Sequence, residues 1–147
     1  MNEVLAVAMV FSGGLFAGGV LSIALERIPA WHRMQIADFP ASFAHTLRRV
    51  DRLQPALLSI CLVSAIGYVL TASGAARSVA MLAVVGCVLI LVSSVGWLVP
   101  IQRTVRSGSE LSTIDAGELR TRWLRGHLIR TVIAVALFAV TVVATGV

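Results

Sequence analysis

The side chains of this sequence able to do chemistry are few: Glu26, His45, Asp51, His127 and Arg130, with Arg49, Gln102 and Trp123 nearby in the pattern. Two imidazoles and two carboxylates make a donor set that suits a first-row transition metal such as iron, copper or zinc. The chain has no Glu-x-x-His pair and no His-x-x-x-His pair, so Glu26, His45, Asp51 and His127 would have to reach one metal from separate helices. The same residues also offer chemistry with no cofactor at all. A histidine titrates near neutrality and would take an acidic proton from a phenolic substrate, with His127 or His45 as the base and Arg130 stabilising the oxyanion.

The elements that must position these groups are membrane spans. Of the 147 residues, 58% are hydrophobic and 13% charged, where a soluble domain carries about a quarter charged. Four apolar runs, about 4–25, 53–72, 79–101 and 128–147, each have the roughly 20 residues a helix needs to cross the hydrocarbon core. They are continuous rather than alternating, which excludes barrel strands, and unpaired backbone in lipid leaves helix as the spanning form. The expected fold is all-α: one integral membrane domain, a four-helix bundle. The first run lacks a basic leader and exceeds the apolar length of a secretory signal, so it reads as a genuine span.

All twelve basic residues are arginines. Eleven lie in or beside the two long connections, and only Arg77 lies on the other side. The positive-inside rule then puts both connections in the cytoplasm and both termini on the outer side of the cytoplasmic membrane. The net charge of +5 therefore reflects topology, and no basic patch interleaved with stacking aromatics points to nucleic acid. Cys61 and Cys87, each inside a span and without metal-type spacing, read as packing residues, with no disulfide expected.

Antiparallel spans bring the chemical residues to the arginine-rich end. Gly14, Gly18, Ser22 and Glu26 recur every four residues, a small-residue ladder expected to aim Glu26 into the bundle. His45 and Arg49 share a helical face, Pro55 kinks or begins the second span, and Pro100 breaks or bends the third just before Gln102. Trp123, His127, Arg130 and Thr131 form one stripe on the fourth, where Trp123 reads as an interfacial belt residue. Arg120, Arg122 and Arg125 read as topology signals. Arg130 lies within the apolar register, where a lone cation is costly, and Glu26 or Asp51 is its expected counter-charge. His45 and His127 are expected to meet across one pocket lined by Glu26 and Arg130.

VPIQRTV at the end of the third span, RWLRGHLIRT at the start of the fourth and FAHTLRRVDRLQP upstream resemble the anthrone oxygenase-like family of small integral membrane proteins, over essentially the whole chain. The most specific elements are Val99–Pro100–Ile101–Gln102–Arg103, with Gln102 where asparagine is more usual, and Trp123, His127 and Arg130; His45, Asp51 and Pro55 also look similar. The resemblance implies oxidation of a polycyclic aromatic such as an anthrone to a quinone by molecular oxygen. The other reading, from a different class, is a non-catalytic accessory subunit or homo-oligomeric scaffold. Its glycine ladder would then be an interface and its His, Arg and carboxylate cluster a structural network.

Overall fold

In the computed structural model of the chain, residues 2–50, 53–107 and 112–146 are described, apart from the side chains of Arg49 and Val50. The described residues are helical with no strand. α1 (Asn2–Ser22) continues through a π-helical segment, Ile23–Arg27, into α2 (Ile28–Arg33). α3 (Phe39–Val50) and α4 (Leu53–Thr71) follow. α5 (Gly74–Ser93) continues through a second π-helical segment, Ser94–Leu98, into α6 (Val99–Arg106), and α7 (Thr113–Thr145) ends the chain. Four continuous helices, Asn2–Arg33, Leu53–Thr71, Gly74–Arg106 and Thr113–Thr145, are long and apolar enough to span a membrane.

α1 packs on α4 and α7, and α5 packs on the same two, closing a ring of four. The shared core is built largely from small side chains: Ala17, Cys61, Ala65, Ala80, Ala83, Cys87 and Ala134. Small residues let helix backbones approach where lipid removes the hydrophobic drive to associate. Cys61 and Cys87 are free, fully buried thiols with Sγ atoms 3.8 Å apart. At one end Asn2 donates to the Thr71 carbonyl and Tyr68 to the Ala144 carbonyl, so the two ends of the described chain lie together. Gly74, at φ +58°, takes the left-handed conformation that lets α5 start three residues after α4 stops.

Both long helices outrun their expected ends, and the two π segments explain how. Each finishes two residues before a proline, Pro29 and Pro100. A proline inside a helix lacks its N–H and collides with the carbonyl four residues back, here Leu25 and Gly96. Widening the preceding turn to i→i+5 hydrogen bonding moves that carbonyl aside, and the helix continues. Pro100 therefore does not end the third helix, which runs on to Arg106. Pro55 sits in the first turn of α4, where no intrahelical N–H is needed.

The first long connection holds α3, whose apolar face lies against α6 and α7 at the arginine-rich end. Trp31, Phe39, Phe43 and Trp123, all fully buried, form one aromatic cluster with centroids 4.9–6.0 Å apart. Trp123 is thus not an interfacial belt residue; it joins α7 to α2 and α3. Arg120, expected as a topology signal, donates from Nη1 to the carbonyls of Trp31 (3.0 Å) and Met34 (2.9 Å), satisfying the end of α2.

Candidate functional site

The buried stripe on α7 is the centre of the site. Trp123 and His127 are completely buried, and Arg130 and Thr131 nearly so. His127 stacks on Trp123 at 4.7 Å and 19°. Its Nδ1 lies 2.9 Å from Arg130 Nη2, and its Nε2 lies 3.0 Å from the Val20 carbonyl of α1. A guanidinium can only donate and a carbonyl can only accept, so these partners fix the neutral Nε2–H tautomer. The imidazole is a spacer between two fixed groups: anchored on α1, it offers its one lone pair to the guanidinium. Thr131 donates to the His127 carbonyl at 2.9 Å, one turn back.

Arg130 reaches past His127 toward α4, where Nη2 also donates to Gln54 Oε1 at 3.4 Å. Beyond it lies a cavity of about 170 Å³ between α4 and α5. It is lined by Phe16 of α1, Leu58 of α4 and Leu47 of α3, and by Leu91, Ser94, Val95 and Leu98 of the third long helix. Among the described residues, the polar members of the lining are Arg130, Gln54, Ser94 and Gln102, and Arg130 is the charged one. The Gln54 Nε2 donor is buried and finds no partner among the described residues. An apolar chamber with a few convergent donors is the usual form of a small-molecule site.

The remaining sequence-chosen residues lie elsewhere. Glu26 is 68% exposed and pairs with its neighbour Arg27 at 3.5 Å, so it neither points into the bundle nor pairs with Arg130. The reason is helical geometry: each four-residue step advances about 40° around the axis, so the ladder winds off the packed face. Gly14 is half-buried against Phe138, Gly18 has open space, and Ser22 and Glu26 are exposed. The face that packs is Met9, Ser12, Gly13, Phe16, Ala17 and Val20. His45 is exposed in a surface groove with Ser22, Ile23, Glu26, Arg27 and Thr46. It therefore does not meet His127 across one pocket: the two imidazoles belong to separate places, His127 being sealed among protein atoms. Asp51 and the Arg49 side chain lie outside the described residues.

A shared metal centre finds no support in this arrangement. Among the described residues no three His, Cys, Asp or Glu side chains cluster, and both ring nitrogens of His127 already face protein partners. Sequence reasoning missed Gln54, whose signal was an amide beside Pro55 in the first turn of a span, where polar residues mark functional sites by default.

The stripe Trp123, His127 and Arg130, with Gln102 across the cavity, falls within residues 43–140, which match the anthrone oxygenase family. The chain belongs to that family. The match runs from α3 into α7 and leaves outside it α1, with Phe16 and Val20, and the first π segment, with Glu26. Comparison with curated proteins and with solved structures gave no match. Within this anthrone oxygenase family member, the matched stretch supplies the guanidinium, both amides and most of the apolar wall.

Proposed function

We propose that this protein is a membrane oxygenase that converts an anthrone-like polycyclic phenol or ketone to its quinone in the Arg130 cavity, with the arginine-rich end of the bundle facing the cytoplasm. The observation that carries this reading is the guanidinium of Arg130, held by His127 at the polar end of an otherwise apolar cavity in a member of this family. An anthrone in its enol form is a phenol whose anion spreads charge from oxygen to the opposite ring carbon. A fixed cation in a mostly apolar site stabilises that anion where it forms.

The chemistry balances with molecular oxygen as the oxidant. The enol loses its proton to water at the interfacial end of the cavity, and Arg130 holds the oxyanion. The electron-rich carbon adds oxygen and takes up a proton to give a hydroperoxide. Loss of water then breaks the O–O bond and leaves a carbonyl, so one anthrone and one O2 yield one quinone and one water. His127 acts as the positioning residue for Arg130 here, since its own nitrogens are engaged. Gln54 and Gln102 offer amides to the substrate's other oxygens.

The test is turnover of anthrone by the purified protein in lipid nanodiscs, following quinone absorbance and oxygen uptake together. Equal consumption of oxygen and formation of quinone, with one atom of 18O2 in the product, is expected. Quinone formation no faster than in protein-free discs would refute the enzymatic reading and favour a structural subunit, for which the His127 network would serve as a helix clamp.

A further inference from the structure

The cavity between α4 and α5 is not walled on all sides. Its lining residues on the outer side, Pro55 of α4 and Leu91 and Val95 of the third long helix, are exposed, the last two by 46% and 59%. All three are apolar and all three belong to spanning helices, so what they face is lipid. Leu47 of α3, by contrast, lines the cavity from a buried position and belongs to one core cluster with Phe39, Phe43 and Leu98. The second π segment makes the opening: three of its five residues, Ser94, Val95 and Leu98, line the cavity.

The same seam continues toward the arginine-rich end. A second depression shares Pro55, Val99 and Gln102 with the cavity and extends to Arg103, Arg106 and Ser107. One groove therefore runs along the α4 side of the third long helix, apolar within the span, amide-lined at Gln102 and cationic at its rim. That gradient matches a flat aromatic molecule lying at the membrane interface, with its ring edge in the acyl region and its polar substituents toward the headgroups.

We propose that the substrate reaches Arg130 sideways from the bilayer, through the gap between α4 and α5, as a lipid-dissolved aromatic carrying an acceptor oxygen on its leading edge and polar substituents on its trailing edge. This rests on the Arg130 cavity being the substrate site. The leading oxygen docks on Arg130, the rings occupy the space between Phe16, Leu58 and Leu98, and the trailing substituents lie near Gln102 and Arg103. Val95 and Leu91 are the gateposts, and the π segment between α5 and α6 sets the width of the gate.

The experiment uses 1-hydroxyanthraquinone, a coloured and oxygen-stable probe, and reads quenching of tryptophan emission in nanodiscs, Trp97 lying in the π segment itself. Raising the lipid at fixed protein should raise the apparent Kd in proportion, leaving the Kd constant as a mole fraction of lipid. Val95→Phe should slow probe association at least 10-fold, whereas Val88→Phe, at an exposed position on the same helix outside the cavity lining, should leave it unchanged. Saturable quenching that ignores lipid amount, or equal association rates for the two variants, would overturn the lateral route while leaving the site intact. No saturable quenching in the wild type would instead overturn the site and this route with it. Leu91→Phe, at the other gatepost, should slow association in the same way, so poor folding of Val95→Phe leaves the test standing. Protection of a cysteine at position 95 from a lipid-soluble maleimide would show a second copy of the chain over the gap, and would also overturn it.

Discussion

Asparagine and glutamine at position 127 separate the two hydrogen bonds of the buried imidazole. In His127→Asn the side-chain oxygen falls near the place of Nδ1 and still accepts from Arg130, while the contact to the Val20 carbonyl is lost. In His127→Gln the longer amide reaches the place of Nε2 and still donates to Val20, but Arg130 loses the imidazole acceptor and keeps its bond to Gln54. The bond to Val20 is neutral and interhelical, and such bonds within a bilayer average about 0.6 kcal/mol. The bond from Arg130 involves a charged group and is worth about 1.5–3 kcal/mol. Both variants also give up the stacking on Trp123, about 0.5–1.5 kcal/mol. If His127 serves to aim Arg130, the Gln variant should lose about 10- to 100-fold in kcat/KM, at about 1.4 kcal/mol per tenfold. The Asn variant should stay within about 10-fold of wild type, since it keeps that bond. The assay is anthrone oxidation in nanodiscs, with SDS unfolding confirming that both proteins fold. Activity in His127→Gln equal to or above that of His127→Asn would refute the positioning role.

Gly126→Ala would set a methyl 2.9 Å from Leu98 Cδ2; moving that buried side chain toward the cavity should cost about 1–3 kcal/mol in unfolding and raise KM with kcat little changed. Arg120→Ala removes two hydrogen bonds at the end of α2 and should lower stability by about 1–2 kcal/mol, read as a shift in thermal unfolding, since the group is half-buried and screening discounts it. His45→Ala, in its separate exposed groove, should retain at least half of wild-type turnover. In a background with both buried cysteines replaced by serine, a cysteine at Thr113 should label only from the cytoplasmic side and one at Ser73 only from the outside; the opposite pattern would reverse the proposed topology.

How far the sequence can be read depends on what each signal averages over. The four long helices were legible because twenty apolar residues integrate a large transfer free energy that local detail cannot hide. The inward stripe of Trp123, His127, Arg130 and Thr131 was legible because spacings of four, three and one hold on one straight helix. The glycine ladder misled because a strict four-residue repeat drifts around the axis, and because the π segment after Ser22 shifts the register again. Glu26 accordingly lands in the surface groove with His45. The π segments themselves left only a proline as their trace, which reads equally well as a helix end. The burial of Trp31 and Trp123 was hidden because it depends on α3 folding back over the bundle end, a long-range event with no local periodicity. Gln54 was legible in principle as an amide inside a span, but its meaning depends on Arg130 arriving 76 positions later in the chain.

The central claim is that Arg130 carries the developing oxyanion of the substrate, and the most direct measurement is kcat/KM for anthrone oxidation in identical nanodiscs for wild type, Arg130→Lys and Arg130→Gln. Removing a fixed donor from an oxyanion site costs about 10²–10³-fold in rate. The Gln variant should fall by about that factor, while binding of 1-hydroxyanthraquinone weakens far less, and Lys, which keeps the charge without the fork, should recover part of the loss. Turnover in Arg130→Gln within a factor of about two of wild type, a difference of about 0.4 kcal/mol, would contradict the account.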